Sequence, residues 1–127
     1  MPKRESLYHR YPDYRVDLEP HAQRVRVSLD GEIIADSRRA LRVLETKHAP
    51  VFYLPLADVR MEHLERTDHT TFCPFKGDAS YWSIRIGSRS EDDAVWTYED
   101  PFEQVIDLKD YVSFYTDRSA LVIESLD

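Results

Sequence analysis

The sequence predicts a mainly β protein of antiparallel strands, in a sandwich or an open barrel, with one or two short helices. Short runs of alternating apolar and polar residues recur along the 127 residues, with turn signals between them. Tyrosine, which suits pleated, half-buried surfaces, occurs eight times. Because strand–helix alternation and a glycine-rich phosphate loop are both missing, parallel Rossmann-type winding is not expected.

The sequence predicts an N-terminal arm over residues 1 to 23 and one β-rich domain over residues 24 to 127. The arm is polar and aromatic, with one short strand near Tyr14 to Leu18. A strong hairpin signal follows: two period-two segments, from Arg24 to Leu29 and from Glu32 to Ala35, flank the pair Asp30-Gly31.

The middle of the chain predicts two more strands, residues 40 to 46 and Val51 to Leu54. Residues 56 to 64 have a short helix-like apolar stripe. A second helix is expected to begin after Asp100 as its N-cap, with Pro101 at its first position, and to end near Lys109 or Asp110. Its apolar positions at helical spacing are Phe102, Val105 and Ile106.

The remaining segments predict further strands, Tyr81 to Ile86 and Ala94 to Tyr98. Trp96 and Tyr98 should share one face. The last two strands, Tyr111 to Tyr115 and Ala120 to Glu124, are expected to form a hairpin around Asp117-Arg118.

Composition and charge restrict the classes of partner. The net charge of −7 argues against a general nucleic-acid binder, although a local pocket can still be basic and take an anionic ligand. The single cysteine, Cys73, allows no internal disulfide and no four-thiolate zinc site. From the polar residues at its start we expect no secretory signal, and no apolar run approaches the length needed to span a bilayer. We expect a cytoplasmic monomer or homodimer with no metal, no cofactor and no membrane partner.

One long motif resembles a known family. The residues that carry it are Thr71, Cys73, Pro74, Lys76, Gly77, Ala79, Tyr81 and Trp82. They are similar to the Thr-x-Cys-Pro-x-Lys-Gly-x-Ala-x-Tyr-Trp motif of the domain of unknown function 427 family, which also carries a nucleotidyltransferase-like label. The likeness extends over about residues 24 to 118, in the expected order. It departs at residues 47 to 50, Lys-His-Ala-Pro, where many members have a Gly-Tyr-Pro-like turn.

The resemblance implies a fold of two antiparallel sheets that meet along one edge in a tent-like arrangement. Related tent-shaped proteins often hold structural zinc through four cysteines, and this chain has one. The resemblance supplies no reaction. Nucleotidyl transfer would use clustered carboxylates for magnesium and a phosphate-gripping loop. The sequence shows neither pattern, so nucleotidyl transfer is the weakest of the alternatives.

Cys73 is the first candidate for chemistry. It is either a reactive thiol whose pKa Lys76 lowers, or a small buried apolar residue. His69 is a poor base for it, because four extended residues place the two Cα atoms roughly 13 Å apart. A base would come from another strand, with Glu45, His48 and Tyr98 as the options, and His69 is expected on a turn or the surface.

Lys76 and Glu45 are the charged candidates. The rigid turn made by Pro74 and Gly77 can hold Lys76 at the mouth of a cleft as an anchor for an anionic group, or leave it as a solvated turn lysine. Glu45 shares a strand face with apolar residues, so it points inward and needs a partner, or it lies in water at the strand end. Lys76, Arg60 or Arg85 could pair with it.

Our leading hypothesis is a small-molecule pocket, with enzymatic activity left open. The catalytic candidates are Cys73, Lys76 and Glu45. The ligand-binding candidates are Thr71 and four aromatic residues, Tyr53, Tyr81, Trp96 and Tyr98, from an aromatic set that also includes Trp82 and Tyr115. Such a lining suits a planar or cyclic ligand. The main alternative is a non-catalytic interaction or scaffold module that binds a protein partner through sheet edges or its acidic surface.

Overall fold

The computed structural model describes residues 5–116 and 121–126, and these residues form two antiparallel sheets. The ten strands are β1 Val16–His21, β2 Arg24–Leu29, β3 Glu32–Ser37, β4 Ala40–Glu45, β5 Val51–Pro55, β6 Leu64–Cys73, β7 Gly77–Ile86, β8 Arg89–Tyr98, β9 Tyr111–Phe114 and β10 Leu121–Leu126. A seven-stranded sheet has the order β1-β4-β5-β9-β8-β7-β6, and a three-stranded sheet has the order β10-β2-β3. The predicted mainly β class with two antiparallel sheets is confirmed.

The hairpin of β2 and β3 follows from its turn residues. Asp30 and Gly31 both have positive φ, +50° and +84°, as a two-residue turn of this kind requires. Its strands pair in antiparallel register, with Val25 opposite Ser37 and a register shift after Val27. The strand predicted near Tyr14 to Leu18 is present as β1, which pairs with β4 along six residues.

The large sheet has an apolar core on each of its faces. The first core lies between the two sheets and contains Val25, Val27, Leu29, Ile34, Leu54, Trp82, Ile84, Val95, Val112 and Leu121 among its buried members. The second lies on the opposite face and contains Val43, Tyr53, Ala79, Tyr81, Tyr98, Phe102, Val105 and Leu108. Because successive strand residues point to opposite faces, Tyr53 and Leu54 fall in different cores, as do Tyr81 and Trp82.

The prediction of a helix that begins at Pro101 is wrong in its first residue and in the kind of helix. The segment Glu103–Leu108 consists of two 3₁₀ pieces joined at a kink, where Val105 has non-helical φ and ψ of −129° and 31°, and its N-cap Phe102 makes no side-chain capping bond. The residues before it are extended because the Phe102 amide donates to the Lys76 carbonyl at 3.0 Å. Its buried residues are Val105 and Leu108, whereas Ile106 is 49% exposed rather than part of the apolar face.

Two other predictions are also wrong. Residues 56 to 64 form two 3₁₀ turns, Leu56–Asp58 and Met61–His63, because Val59 instead makes an isolated β-bridge to Ala35. The last two strands do not form a hairpin, since β9 pairs with β5 and β8 while β10 pairs with β2 in the other sheet. The turn predicted at Asp117-Arg118 lies outside the described residues.

Candidate functional site

The second face of the large sheet carries a row of aromatic side chains that belong to three strands. Tyr53 comes from β5, Tyr81 from β7, and Trp96 and Tyr98 from β8. Tyr81 is paired directly with Trp96 in the β7–β8 register. Period-two alternation places all four on the side away from the small sheet. The prediction that Trp96 and Tyr98 share a face is confirmed.

The turn between β6 and β7 folds over this aromatic row. Within this turn, the backbone amide of Lys76 donates to the Cys73 carbonyl at 3.3 Å. Gly77 has φ of +120°, and a Cβ there would lie 3.3 Å from the Asp100 carbonyl oxygen. Only glycine suits both the backbone angle and this close approach. The sequence therefore fixes the turn against the segment that leads into the 3₁₀ helix.

The N-terminal arm holds the same turn from its other side. Phe75 is stacked on Tyr14, with ring centroids 3.8 Å apart, and meets Tyr8 edge-on at 5.2 Å. The Leu7 amide donates to the Pro74 carbonyl at 3.0 Å, and the Tyr8 hydroxyl donates to the Phe75 carbonyl at 2.6 Å. The arm thus brings Tyr14 to the open end of the aromatic face.

A buried ion pair joins the turn to the far side of the sheet. Lys76 Nζ donates to Glu45 Oε1, and the Tyr14 hydroxyl donates to Glu45 Oε2. The side chains of Lys76 and Glu45 are only 9% and 13% exposed. His48 Nε2 lies 3.9 Å from Glu45 Oε2. Since β5, β9 and β8 lie between β4 and β7 in the sheet order, the contact requires the sheet to curl around a cleft.

The partners of Glu45 keep it ionised. Burial on its own would raise the pKa of this carboxyl, but hydrogen bonds from Lys76 and Tyr14 and the nearby positive charges lower it below its ordinary value. The pKa of the Tyr14 hydroxyl is raised well above its usual range, mainly by burial and also by its hydrogen bond to Glu45. The carboxylate is therefore charged and Tyr14 is a neutral donor at physiological pH.

The curled sheet, the turn and the arm enclose a cleft of about 480 Å³. Its lining residues are Tyr14, Val43, Glu45, His48, Ala49, Val51, Tyr53, Phe72, Cys73, Pro74, Phe75, Lys76, Tyr81, Trp96, Tyr98 and Tyr115. Seven of the eight predicted site residues are among them. Thr71 is the exception: it is exposed and reaches the cleft only through Tyr81, whose hydroxyl lies 2.9 Å from Thr71 Oγ1.

Two buried phenols present hydroxyl groups in the cleft. The indole N–H of Trp96 donates to the Tyr53 oxygen at 3.0 Å, which leaves the Tyr53 hydroxyl hydrogen for another acceptor. Tyr98 is 6% exposed, and its hydroxyl has no hydrogen-bond partner among residues 5–116 and 121–126. Burial raises the pKa of both phenols well above the ordinary value, so both remain protonated donors at physiological pH. The Lys76 ammonium lies 6.0 Å from the Tyr98 ring centroid.

The other predicted partners lie elsewhere. Arg60 donates to the Ile33 carbonyl at 3.3 Å, and Arg85 is bound to Asp92 at 3.1 Å, so the partner of Glu45 is Lys76. His69 is exposed and packs on the Tyr81 ring, with centroids 4.6 Å apart. Cys73 is half-buried at the cleft wall. The catalytic roles of Cys73, Lys76 and Glu45 stay predictions.

Sequence reasoning missed the contribution of the arm. Tyr14 and Phe75 both line the cleft, and Tyr14 binds Glu45 directly. The sequence does contain a possible signal, since Tyr8, Tyr11 and Tyr14 recur at a spacing of three and Phe75 lies in the β6–β7 turn. No local pattern, however, shows that these two segments are in contact.

Within the described part of the chain, no group of three or more His, Cys, Asp or Glu side chains could hold a metal ion. No described helix has the length and apolar character to cross a membrane.

Comparison with known proteins identifies a family. The family model described as "Domain of unknown function (DUF427)" matches residues 17–125. A comparison with curated proteins gives no match. The match begins at β1, so Tyr8 and Tyr14 of the arm come from outside the matched region, whereas the turn, the ion pair and the aromatic row lie inside it.

Proposed function

The chain belongs to the DUF427 family of unknown function, and from its geometry we propose that the cleft binds a small planar molecule. The observation that carries this proposal is the Tyr98 hydroxyl. It belongs to a buried residue, it lines a cavity, and no described residue accepts its hydrogen. Among the described residues the fully buried side-chain atoms without a partner are Arg26 Nε and Arg42 Nε, so the Tyr98 oxygen is open to the cleft, where its hydrogen can be donated to a bound molecule.

The size and lining of the cleft support a small ligand. Its volume of about 480 Å³ falls within the usual range for small-molecule sites, about 300 to 1,000 Å³. Such sites combine mostly apolar and aromatic walls with a few polar groups that fix the orientation of the ligand. Here Trp96 and Tyr81 supply aromatic surface, and Tyr53 and Tyr98 supply hydroxyl donors.

Planarity of the ligand follows from the aromatic walls. Trp96 is half-buried, packs obliquely on Tyr115 with centroids 4.5 Å apart, and meets Tyr53 edge-on at 6.1 Å. Rings held in this way are already fixed in orientation, so a flat ligand can pack against them without a large further loss of side-chain entropy. Cys73 brings a thiol to the same cleft, and its reaction with a bound molecule stays a prediction.

A ligand screen tests the proposal. Small planar compounds are added to the full-length protein, and binding is measured by saturation-transfer NMR on the compounds. We expect some of them to bind, and we expect Tyr98→Phe to weaken that binding about tenfold because one hydrogen bond is lost. Tyr111→Phe is the matched control: it removes a phenol hydroxyl from β9 that does not line the cleft.

Two results would contradict the proposal. One is the absence of binding across the planar compounds, which would favour the scaffold alternative. The other is an equal effect of Tyr98→Phe and Tyr111→Phe, which would place the binding outside the cleft. Nucleotidyl transfer is tested separately by titration with ATP and magnesium at millimolar concentrations.

A further inference from the structure

We infer that the molecule bound in the cleft is uncharged and presents a carbonyl oxygen, as planar aromatic amides do, rather than a carboxylate or phosphate. This inference rests on the proposed function, because it concerns the ligand of the same cleft. It departs from the expectation that Lys76 anchors an anionic group. The difference comes from the ion pair, which the structure places inside the cleft.

The charges of the cleft are already balanced. Among the described residues that line it, Glu45 supplies one negative charge and Lys76 one positive charge, in direct contact. The lowered pKa of Glu45 keeps this pair intact at neutral pH. The phenols of Tyr53 and Tyr98 are neutral because burial raises their pKa values. The buried part of the cleft thus has no net charge for a ligand to neutralise, and His48, which also lines the cleft, is 62% exposed and lies outside this balance.

An anionic ligand would disturb this balance. To reach the Lys76 ammonium it would have to draw that group away from Glu45, or share it and lie close to the Glu45 carboxylate. Either arrangement leaves an uncompensated negative charge among side chains that are about nine-tenths buried. A neutral ligand leaves the pair undisturbed.

The free donors suit a carbonyl oxygen. The Tyr53 oxygen already accepts from Trp96, so its hydrogen is available, and the Tyr98 hydroxyl has no partner among the described residues. A carbonyl oxygen has two lone pairs and can accept from two hydroxyls at once. An amide retains this acceptor without a charge, and conjugation with a ring keeps the molecule flat against Trp96 and Tyr81.

Matched amide and carboxylate probes test the inference. The pairs benzamide and benzoate, nicotinamide and nicotinate, and 2-naphthamide and 2-naphthoate have similar shapes and differ in charge. Their affinities for the wild-type protein are measured at pH 7 by ligand-observed NMR titration. We expect each amide that binds to do so at least about tenfold more tightly than its carboxylate partner, and Tyr98→Phe to weaken the amides.

A charge-changing variant provides the second arm of the test. Glu45→Gln removes the carboxylate and leaves Lys76 uncompensated, so we expect the carboxylate probes to gain at least about tenfold relative to the amides. Glu99→Gln is the control, because Glu99 is an exposed carboxylate that pairs with Arg66 and does not line the cleft. Circular dichroism melting establishes that each variant is folded. If Glu45→Gln does not fold, the wild-type preference and the Tyr98→Phe result decide the question.

The outcomes separate the two proposals. Carboxylates that bind the wild type as tightly as amides would overturn the present inference and leave the proposed function intact. If other planar compounds bind but none of these probes does, the present inference is likewise overturned and the proposed function remains intact. An amide preference that folded Glu45→Gln leaves unchanged would overturn the argument from charge balance. If no planar compound binds at all, both proposals fail.

Discussion

Replacement of Lys76 by methionine is the sharpest test of the buried ion pair. The substitution keeps an unbranched side chain in the turn and removes the ammonium that binds Glu45 Oε1. The carboxylate would then keep the Tyr14 hydroxyl and the exposed His48 as its neighbours. We expect Lys76→Met to destabilise the fold strongly at pH 7 and much less at pH 5.

The magnitude follows from the burial of the two side chains. Removal of one partner from a buried pair typically costs about 3 to 5 kcal/mol. The carboxyl can avoid part of that cost by taking up a proton. For a group with an ordinary pKa of about 4.3, protonation costs about 3.7 kcal/mol at pH 7 and about 1 kcal/mol at pH 5. We therefore expect a loss of about 3 kcal/mol at pH 7 and about 1 kcal/mol at pH 5.

The sign of the pH dependence separates the variant from the wild type. In the wild type the folded-state pKa of Glu45 is lowered, so its stabilising contribution is complete above the unfolded pKa. That contribution is lost only as the pH falls through the lowered folded value, which leaves it constant between pH 5 and 7. In Lys76→Met, burial without the ammonium should raise the pKa of Glu45, so a fall in pH should stabilise the variant relative to the wild type.

Urea denaturation at pH 5, 6 and 7, followed by circular dichroism, provides the free energies of unfolding. Lys109→Met is the matched control, since Lys109 is exposed and the same charge is removed. The double variant Glu45→Gln with Lys76→Met should recover much of the loss, because no buried charge is left without a partner. A loss below about 0.5 kcal/mol at pH 7, the usual range for surface substitutions, or an equal loss at pH 5 and pH 7, would show that Lys76 and Glu45 do not form a buried ion pair.

Three further predictions concern the turn, the arm and the thiol. Gly77→Ala should lower the free energy of unfolding, measured by urea denaturation, by about 2 kcal/mol. Gly87→Ala, where a Cβ meets open space, should lower it less, and equal losses would contradict the close packing of the turn. Tyr14→Phe should lower the free energy of unfolding by about 1 kcal/mol and raise the pKa of Glu45, because the carboxylate loses a hydrogen bond. Carboxyl NMR titration measures that pKa, and an unchanged value would show that the arm does not bind Glu45. Alkylation of Cys73 by iodoacetamide, followed by intact mass, should slow when a cleft ligand is present; an unchanged rate would place the thiol outside the binding site.

Local sequence patterns predict most of the strands but only one of the pairings between them. The hairpin of β2 and β3 was found because Asp30-Gly31 supplies two positive φ angles between alternating segments. By contrast, the closeness of β9 and β10 in sequence predicts a hairpin, whereas the two strands belong to different sheets. The strand β6 is not predicted from the sequence, because it is a largely exposed edge strand with a register shift between Arg66 and Thr70 and so lacks a clean alternation.

The candidate site was predictable to the extent that it depends on strand faces. Leu41 and Val43 in β4 predict that Glu45 lies on the inner face, and the sequence offers Lys76, which is its partner in the structure, beside Arg60 and Arg85. The contribution of Tyr14 could not be predicted, because it depends on how an arm outside the matched region packs on Phe75. Long-range packing of this kind leaves no periodic signal in the sequence.

A crystal structure of the protein with the tightest-binding planar compound would show directly whether the cleft is a ligand site. We expect density for the compound between Trp96 and the β6–β7 turn, with an oxygen acceptor within about 3.2 Å of the Tyr98 hydroxyl. Density at another surface, or a closed cleft in which the Tyr98 hydroxyl donates to a protein group, would contradict this expectation.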